Sequence, residues 1–174
     1  MKFKITLKID RKYGDLLPFN YQYEQSAVIY CILARADTQY SSWLHESGYL
    51  LHERKRFKLF CYSPFIFEKV RPLPEAGCLK IIGERAVWYI SFIPEKSTLE
   101  FIQGIFAHQS FSIGNKKYQV AFDVVGVEAI SMPQLTEQMA FQAMSPICVK
   151  LHEDNKTQYL SPDNPMFADG ILKG

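Results

Sequence analysis

The order of hydrophobic periodicities predicts an α+β fold of the β-α-β-β-α-β kind, ferredoxin-like or RRM-like, with both helical segments on one face of an antiparallel sheet. Three observations carry this. The N-terminus alternates strictly between apolar and polar residues. Two later stretches repeat their apolar residues at three- and four-residue steps. Strand patterns follow each of those stretches, giving the order strand, helix pair, strands, helix, strands.

Phe3, Ile5, Leu7 and Ile9 alternate with Lys2, Lys4, Thr6 and Lys8, which predicts a strand with one buried and one basic, solvated face. Alternation this early is not a signal peptide. From about Tyr23 the pattern turns helical, through Ala27, Ile29, Tyr30, Leu33 and Ala34. Asp37-Thr38 interrupts it and caps a second short helix, which carries Tyr40, Trp43 and Leu44 and stops near Gly48. Residues 49–56 are polar and basic, a loop or hairpin tip. Phe57 to Lys69 is expected to be a long strand interrupted at Pro64. Leu79–Ile82 and Ala86–Ile93 are expected to form a hairpin around Gly83-Glu84-Arg85. A helix follows Pro94, with Leu99, Phe101, Ile102, Ile105 and Phe106 as its apolar positions and Gly104 as a weak point inside it. Phe111–Ile113 and Lys117–Ile130 are strands around a Gly114-Asn115 turn.

The first domain is thus expected over residues 1–132. After Pro133 the chain begins a second ferredoxin-like unit, residues 133–174. A strand is expected over Ala140–Leu151, a turn at Asp154-Asn155-Lys156, a short strand at Tyr159-Leu160, and a helix start at Asp163-Asn164-Pro165. The sequence ends at Gly174 with that helix under way, so the second unit is expected to be incomplete. Its uncovered apolar surface could pair two copies of the chain.

Composition narrows the class. The chain is 48% hydrophobic and 22% charged, ordinary for a soluble globular protein, and no apolar run approaches the roughly 20 residues that span a bilayer. A cytoplasmic location is expected. A net charge of +2 permits a nucleic-acid partner, so the case rests on where the cations cluster. Cys31, Cys61, Cys78 and Cys148 are scattered, with no C-x-x-C pair; they read as buried free thiols, and no structural zinc site is expected. There is no P-loop, no GxGxxG and no paired carboxylate cluster, so neither metal nor cofactor is expected. The RNP signature of RNA-recognition motifs is absent too.

The residues able to do chemistry lie between Leu17 and Ser63. Cleaving RNA through its own 2′-hydroxyl needs a base, an acid for the leaving 5′-oxygen, and a cation on the phosphoryl oxygens. His45 titrates in the right range for an acid or base, Lys58 supplies charge, and Tyr30 can donate or orient a hydrogen bond. Each also has a plainer reading: Tyr30 as a core tyrosine, His45 as a structural histidine beside Trp43-Leu44, Lys58 as a strand-end lysine. His52 is a rival acid or base in the adjoining loop. His108 reads as a partner for a helix C-terminus. Arg54, Lys55, Arg56 and Lys58 put four cations within five residues. Such runs are usually solvated surface, but Tyr49, Phe57 and Tyr62 beside this one also suit phosphate contact with base stacking.

Four segments in order carry a resemblance: Leu17-Pro18-Phe19-Asn20-Tyr21-Gln22-Tyr23, Ile29-Tyr30, Trp43-Leu44-His45-Glu46, and Lys58-Leu59-Phe60-Cys61-Tyr62-Ser63. Met144-Ser145-Pro146-Ile147-Cys148-Val149 and Tyr159-Leu160-Ser161-Pro162 continue it. The sequence resembles the CRISPR-associated endoribonucleases that process repeat RNA, the sixth family of Cas proteins. The resemblance implies two ferredoxin-like domains and metal-independent cleavage of precursor CRISPR RNA within its repeats, giving a 2′,3′-cyclic phosphate and a 5′-hydroxyl. It implies a catalytic Tyr30, His45 and Lys58, with His45 as acid or base, Tyr30 assisting proton transfer or orienting the phosphate, and Lys58 stabilising the transition state. CRISPR repeat RNA is the implied partner, with other CRISPR-associated proteins beside it. Two features depart from the family: the longer, more basic loop between Gly48 and Phe57, and the lack of a C-terminal glycine-rich loop. The alternative is a non-catalytic RNA-binding or complex-assembly subunit on the same fold.

Overall fold

The computed structural model describes the chain apart from residues 52–54, 132, 135, 141, 144, 154, 155 and 174; of residues 51, 55, 152, 153, 156 and 173 it describes the backbone alone. The rival His52 therefore lies outside the described residues, as do Arg54, Met144 and the Asp154-Asn155 turn. The chain divides into two compact units, Met1–Leu135 and Thr136–Gly174.

The first unit is built on β1, Lys2–Asp10, at the middle of an antiparallel sheet. β1 pairs with β9 (Arg85–Phe92) on one side and with β11 (Gln119–Ile130) on the other. β10 (Ser110–Gly114) forms the edge beyond β11; β5 (Phe60–Tyr62) and the short β6 (Ile66–Phe67) both lie against β9. Every one of these pairings is antiparallel. The alternation read from the sequence decides which face is covered. Phe3, Ile5, Leu7 and Ile9 are buried, as are Ala86, Trp88, Ile90 and Phe92 on β9.

Two long helices supply the other half of the core. α1, Gln22–Ala36, buries Val28, Ile29, Ile32 and Leu33. α3, Glu95–Ala107, buries Phe101 and Ile105, and Phe101 meets both Trp88 and Phe92. Each fully buried side chain of this size contributes about 1.5–3 kcal/mol. Gly104 sets how closely the helices approach: a Cβ there would stand 1.8 Å from the carbonyl oxygen of Ile32. The glycine that weakens the helix in the sequence is the residue that lets α1 and α3 touch.

Between α1 and β5 the chain forms α2 (Thr38–Glu46) and a hairpin of β3 (Tyr49–Leu51) with β4 (Lys55–Phe57). A separate sheet joins β2 (Leu16–Pro18), β8 (Cys78–Ile81) and β7 (Val70–Leu73) in that order.

Three expectations need correction. The long strand over Phe57–Lys69 is three short pieces, because Leu59 takes a positive φ of 55° and turns the chain. The hairpin over residues 79–93 does not form. Arg11 donates to the carbonyls of Ile81, Ile82 and Gly83, while the Glu68 carboxylate accepts from the backbone of Glu84 and Arg85. The turn is tied to these side chains, and β8 and β9 enter different sheets. His108 follows the last residue of α3 as its C-cap. Its ring meets Ser110 Oγ, and Arg35 covers its carbonyl and that of Ser110. Of the four cysteines only Cys78 is buried; Cys31, Cys61 and Cys148 are exposed and all are free thiols.

The second unit has a hairpin of β12 (Lys150–Glu153) and β13 (Lys156–Tyr159), then α4, Met166–Lys173. Asn164 Oδ1 accepts from Met166 N at 2.9 Å and opens the helix. Gly170 faces Val149 so closely that a Cβ would lie 2.3 Å from its Cγ1. The expected strand over Ala140–Leu151 is confined to its last residues. Pro146 has no N–H to give a ladder. Among the described residues no helix is long and apolar enough to cross a membrane.

Candidate active site

Tyr30 enters the site from α1 and His45 from the last turn of α2. Asp37 separates the helices: its carboxylate accepts from Tyr40 N at 2.8 Å and starts α2. That hydrogen bond, with Lys96 beside it, holds the Asp37 carboxyl below its usual range. Ser41 then ties the two helices together, donating its hydroxyl to the Tyr30 carbonyl at 2.8 Å. The result is a ring contact. His45 and Tyr30 stand edge to face, centroids 4.8 Å apart. Tyr30 also meets Phe60 on β5 at 5.7 Å. His45 is exposed and Tyr30 half-buried. Burial, then the neighbouring Tyr62, raises the Tyr30 pKa, so this phenol keeps its proton and acts as a donor at neutral pH.

Lys58 reaches the same place from the stretch between β4 and β5. Its ammonium donates to the carbonyls of Leu44 and His45. Those belong to the last turn of α2, where carbonyls have no helical partner and a cation is favoured. Lys58 therefore anchors the backbone that carries His45. Burial, and then Arg56, lower the Lys58 pKa. Gly48 makes the approach possible. It has a φ of +68°, and a Cβ there would be 2.7 Å from the Phe57 carbonyl and 3.1 Å from Lys58 Cδ. Leu59, with its positive φ, turns the chain immediately after Lys58.

Tyr30 and His45 thus meet ring to ring from two helices, and Lys58 reaches the backbone of His45 from a third segment. The cationic run is described only in part: Arg56 is exposed on β4, Lys55 is described by its backbone in the same strand, and Arg54 lies outside the described residues. Sequence reasoning missed Ser41, Leu59 and Phe60. Phe60 could have been marked by its place in an aromatic run, but nothing in the sequence marks Leu59 for a left-handed conformation. Among the described residues no group of three His, Cys, Asp or Glu is placed to hold a metal ion. Chemically, the arrangement offers an accessible imidazole, a protonated phenol and an ammonium.

Known proteins match this chain along most of its length. The model of the family described as CRISPR-associated protein Cas6, N-terminal, matches residues 16–123. A CRISPR-associated endoribonuclease-like protein, Cas6nc, of Pyrococcus horikoshii is 26% identical, covering 99% of this chain and 68% of its own length. The CRISPR-associated endoribonuclease Cas6 1 of Methanocaldococcus jannaschii is 26% identical over 97% of this chain and 62% of its own. The chain thus spans about two thirds of these relatives. Among solved structures, the product of a Cas6-related gene from Pyrococcus furiosus superposes with a TM-score of 0.78 at 24% identity, covering 99% of this chain and 67% of that one. Another, described as a RAMP protein binding different RNA substrates, has a TM-score of 0.75 at 25% identity, over 99% of this chain and 68% of that one. With the family model covering well over half of its residues, the chain belongs to the Cas6 family of CRISPR-associated proteins and carries that family's N-terminal region.

Proposed function

We propose that the protein cleaves CRISPR precursor RNA within its repeats, without a metal, through the Tyr30–His45–Lys58 site. The observation that carries the reading is the contact of the exposed His45 ring with Tyr30, beside an ammonium held at the end of the same helix. In this reading a base takes the proton of the 2′-hydroxyl and the 2′-oxygen attacks the phosphorus. The bond to the 5′-oxygen breaks, and that oxygen leaves with a proton from an acid. His45 serves as acid or base. Tyr30 donates to a phosphoryl oxygen or assists the transfer. Lys58 contributes positive charge toward the transition state. Atoms balance without water, leaving a 2′,3′-cyclic phosphate and a 5′-hydroxyl. Arg54, Lys55 and Arg56 hold the RNA backbone.

The strand order and the two long helices of the first unit support reading it as ferredoxin-like, with residues 133–174 opening a second such unit. Repeat RNA is the proposed partner, with other CRISPR-associated proteins or a second copy beside it, in the cytoplasm. One observation favours a second reading, a non-catalytic RNA-binding or assembly subunit: Lys58 is engaged with helix carbonyls instead of facing solvent freely.

The test is incubation of end-labelled repeat RNA with the full-length gene product in EDTA, followed by analysis of the 3′ ends. Products that need acid opening before phosphatase removes the terminal phosphate support the nuclease. RNA that is bound and left uncut favours the second reading.

A further inference from the structure

We infer that Tyr23 is a stacking platform for an unpaired nucleobase of RNA held at the Tyr30–His45 site, an inference that rests on reading that site as RNA-binding. Tyr23 and Tyr30 are seven residues apart on α1. Seven residues turn a helix by about 700° and advance it by about 10.5 Å, so the two side chains fall on one stripe. The advance equals about three stacked-base steps of ~3.4 Å. One end of the stripe is closed: Tyr30 packs on His45 and Phe60. The other end is open. Tyr23 is 82% exposed, and among the described residues its ring meets no other ring and its hydroxyl has no hydrogen-bond partner.

Neither folding nor packing accounts for Tyr23. The buried face of α1 is made by Gln25, Val28, Ile29, Ile32 and Leu33, and Tyr23 is not on it. A tyrosine in an exposed helical position is a poorer helix former than alanine or leucine. The residues between the two tyrosines on this side are Ser26 and Ala27, whose short side chains leave a low shelf from one ring to the other. A further row of rings runs alongside. The Tyr62 hydroxyl donates to the Gln22 carbonyl at 3.0 Å, which fixes Tyr62 beside the first turn of α1. Tyr62 stacks near Phe60 at 6.4 Å, and Phe60 meets Tyr30. A chain of ring contacts thus runs from Tyr62, beside the first turn of the helix, through Phe60 and Tyr30 to the imidazole.

An unpaired base fits this surface better than a protein side chain does. Tyr23 and Tyr30 lie on one stripe of α1, and Tyr30 packs on His45 at the site that would hold the phosphate. Stacking does not read base identity, because every base has a π-face. The ligand class is therefore any unstacked base within a few nucleotides of the scissile phosphate.

The experiment measures binding of repeat RNA carrying a 2′-deoxy nucleotide at the cleavage position, which cannot be cut, by fluorescence anisotropy. Wild type is compared with Tyr23→Ala and Tyr23→Phe, and each RNA position near the cut is replaced in turn by an abasic one. Base–aromatic stacking predicts roughly a tenfold rise in Kd for Tyr23→Ala. Tyr23→Phe should bind like wild type. One abasic position should weaken wild type to the same extent and add nothing to Tyr23→Ala. In single-turnover cleavage, Tyr23→Ala should raise the half-saturating protein concentration while the saturating rate falls much less. Circular dichroism of the variants controls for folding. Unchanged affinity in Tyr23→Ala overturns the inference, as does an effect that adds to every abasic position. If wild type binds RNA in a Tyr23-dependent way yet never cuts it, stacking stands and the nuclease reading falls. If it cuts RNA and Tyr23→Ala binds as wild type does, the nuclease stands and stacking falls. No binding by wild type removes both.

Discussion

The imidazole of His45 stands edge-on to the phenol ring of Tyr30, with 4.8 Å between ring centroids and 85° between their planes. The two residues belong to different helices, and the contact exists because Asp37 ends one helix and starts the next. His45 remains exposed, so its role can be tested apart from folding. His45→Ala should lower single-turnover cleavage by about 10²–10⁴-fold, the usual span for general acid–base catalysis. Its thermal midpoint should stay close to wild type, as differential scanning fluorimetry would show.

Lys58 should behave differently, because it has a structural task as well. Lys58→Met leaves the Leu44 and His45 carbonyls without their ammonium donor. A loss of about 1 kcal/mol in urea unfolding is expected along with lost cleavage. Lys58→Arg should not restore cleavage, since a longer planar fork cannot occupy the place of a compact ammonium between these carbonyls. Wild-type activity in Lys58→Arg would argue that only charge matters.

Gly48→Ala perturbs the site without altering any proposed catalytic group. The added Cβ meets the Phe57 carbonyl at 2.7 Å in a backbone conformation with φ +68°. Lys58 should be displaced, and cleavage should fall with the chain still folded, measured by activity beside circular dichroism.

Gly104→Ala should destabilise by about 1–3 kcal/mol as an overpacking change, although alanine is the better helix former. The Cβ would collide with the Ile32 carbonyl at 1.8 Å, so α1 and α3 must separate. Chemical denaturation reads this directly, and a gain in stability would contradict the crossing described here.

Much of this arrangement was legible in the sequence where burial alone decides structure. β1 is visible because Phe3, Ile5, Leu7 and Ile9 face one side. Asp37 and Gly48 are visible because a helix start and stop need those residue types. What could not be read depends on side chains reaching across the fold. Nothing near residues 79–93 reveals that Arg11 and Glu68 hold the turn there and send β8 and β9 into different sheets. The placement of Lys58 on the carbonyls of α2 is likewise a relation between distant segments. The trio of Tyr30, His45 and Lys58 could be nominated from residue types and resemblance; its geometry could not.

Stability should fall as pH rises past about 10. Burial raises the pKa of Tyr21, Tyr30 and Tyr40 above the ordinary value of 10.0, most strongly for Tyr40. The folded chain then holds protons that the unfolded chain has released, so stability present below pH 10 is lost above it. Lys58, with a lowered pKa, acts in the opposite sense below its ordinary value of 10.5. Three raised phenols should outweigh it. Tyr40→Phe should flatten the alkaline slope of the melting temperature, and an unchanged slope would count against this assignment.

The most direct test of the central claim is the single-turnover cleavage rate of repeat RNA in EDTA, for the full-length gene product and its His45→Ala variant side by side. The account predicts cut RNA ending in a cyclic phosphate for wild type and a loss of at least about a hundredfold in the variant. Equal rates in the two proteins, or cleavage by wild type only after a divalent metal is restored, would contradict it.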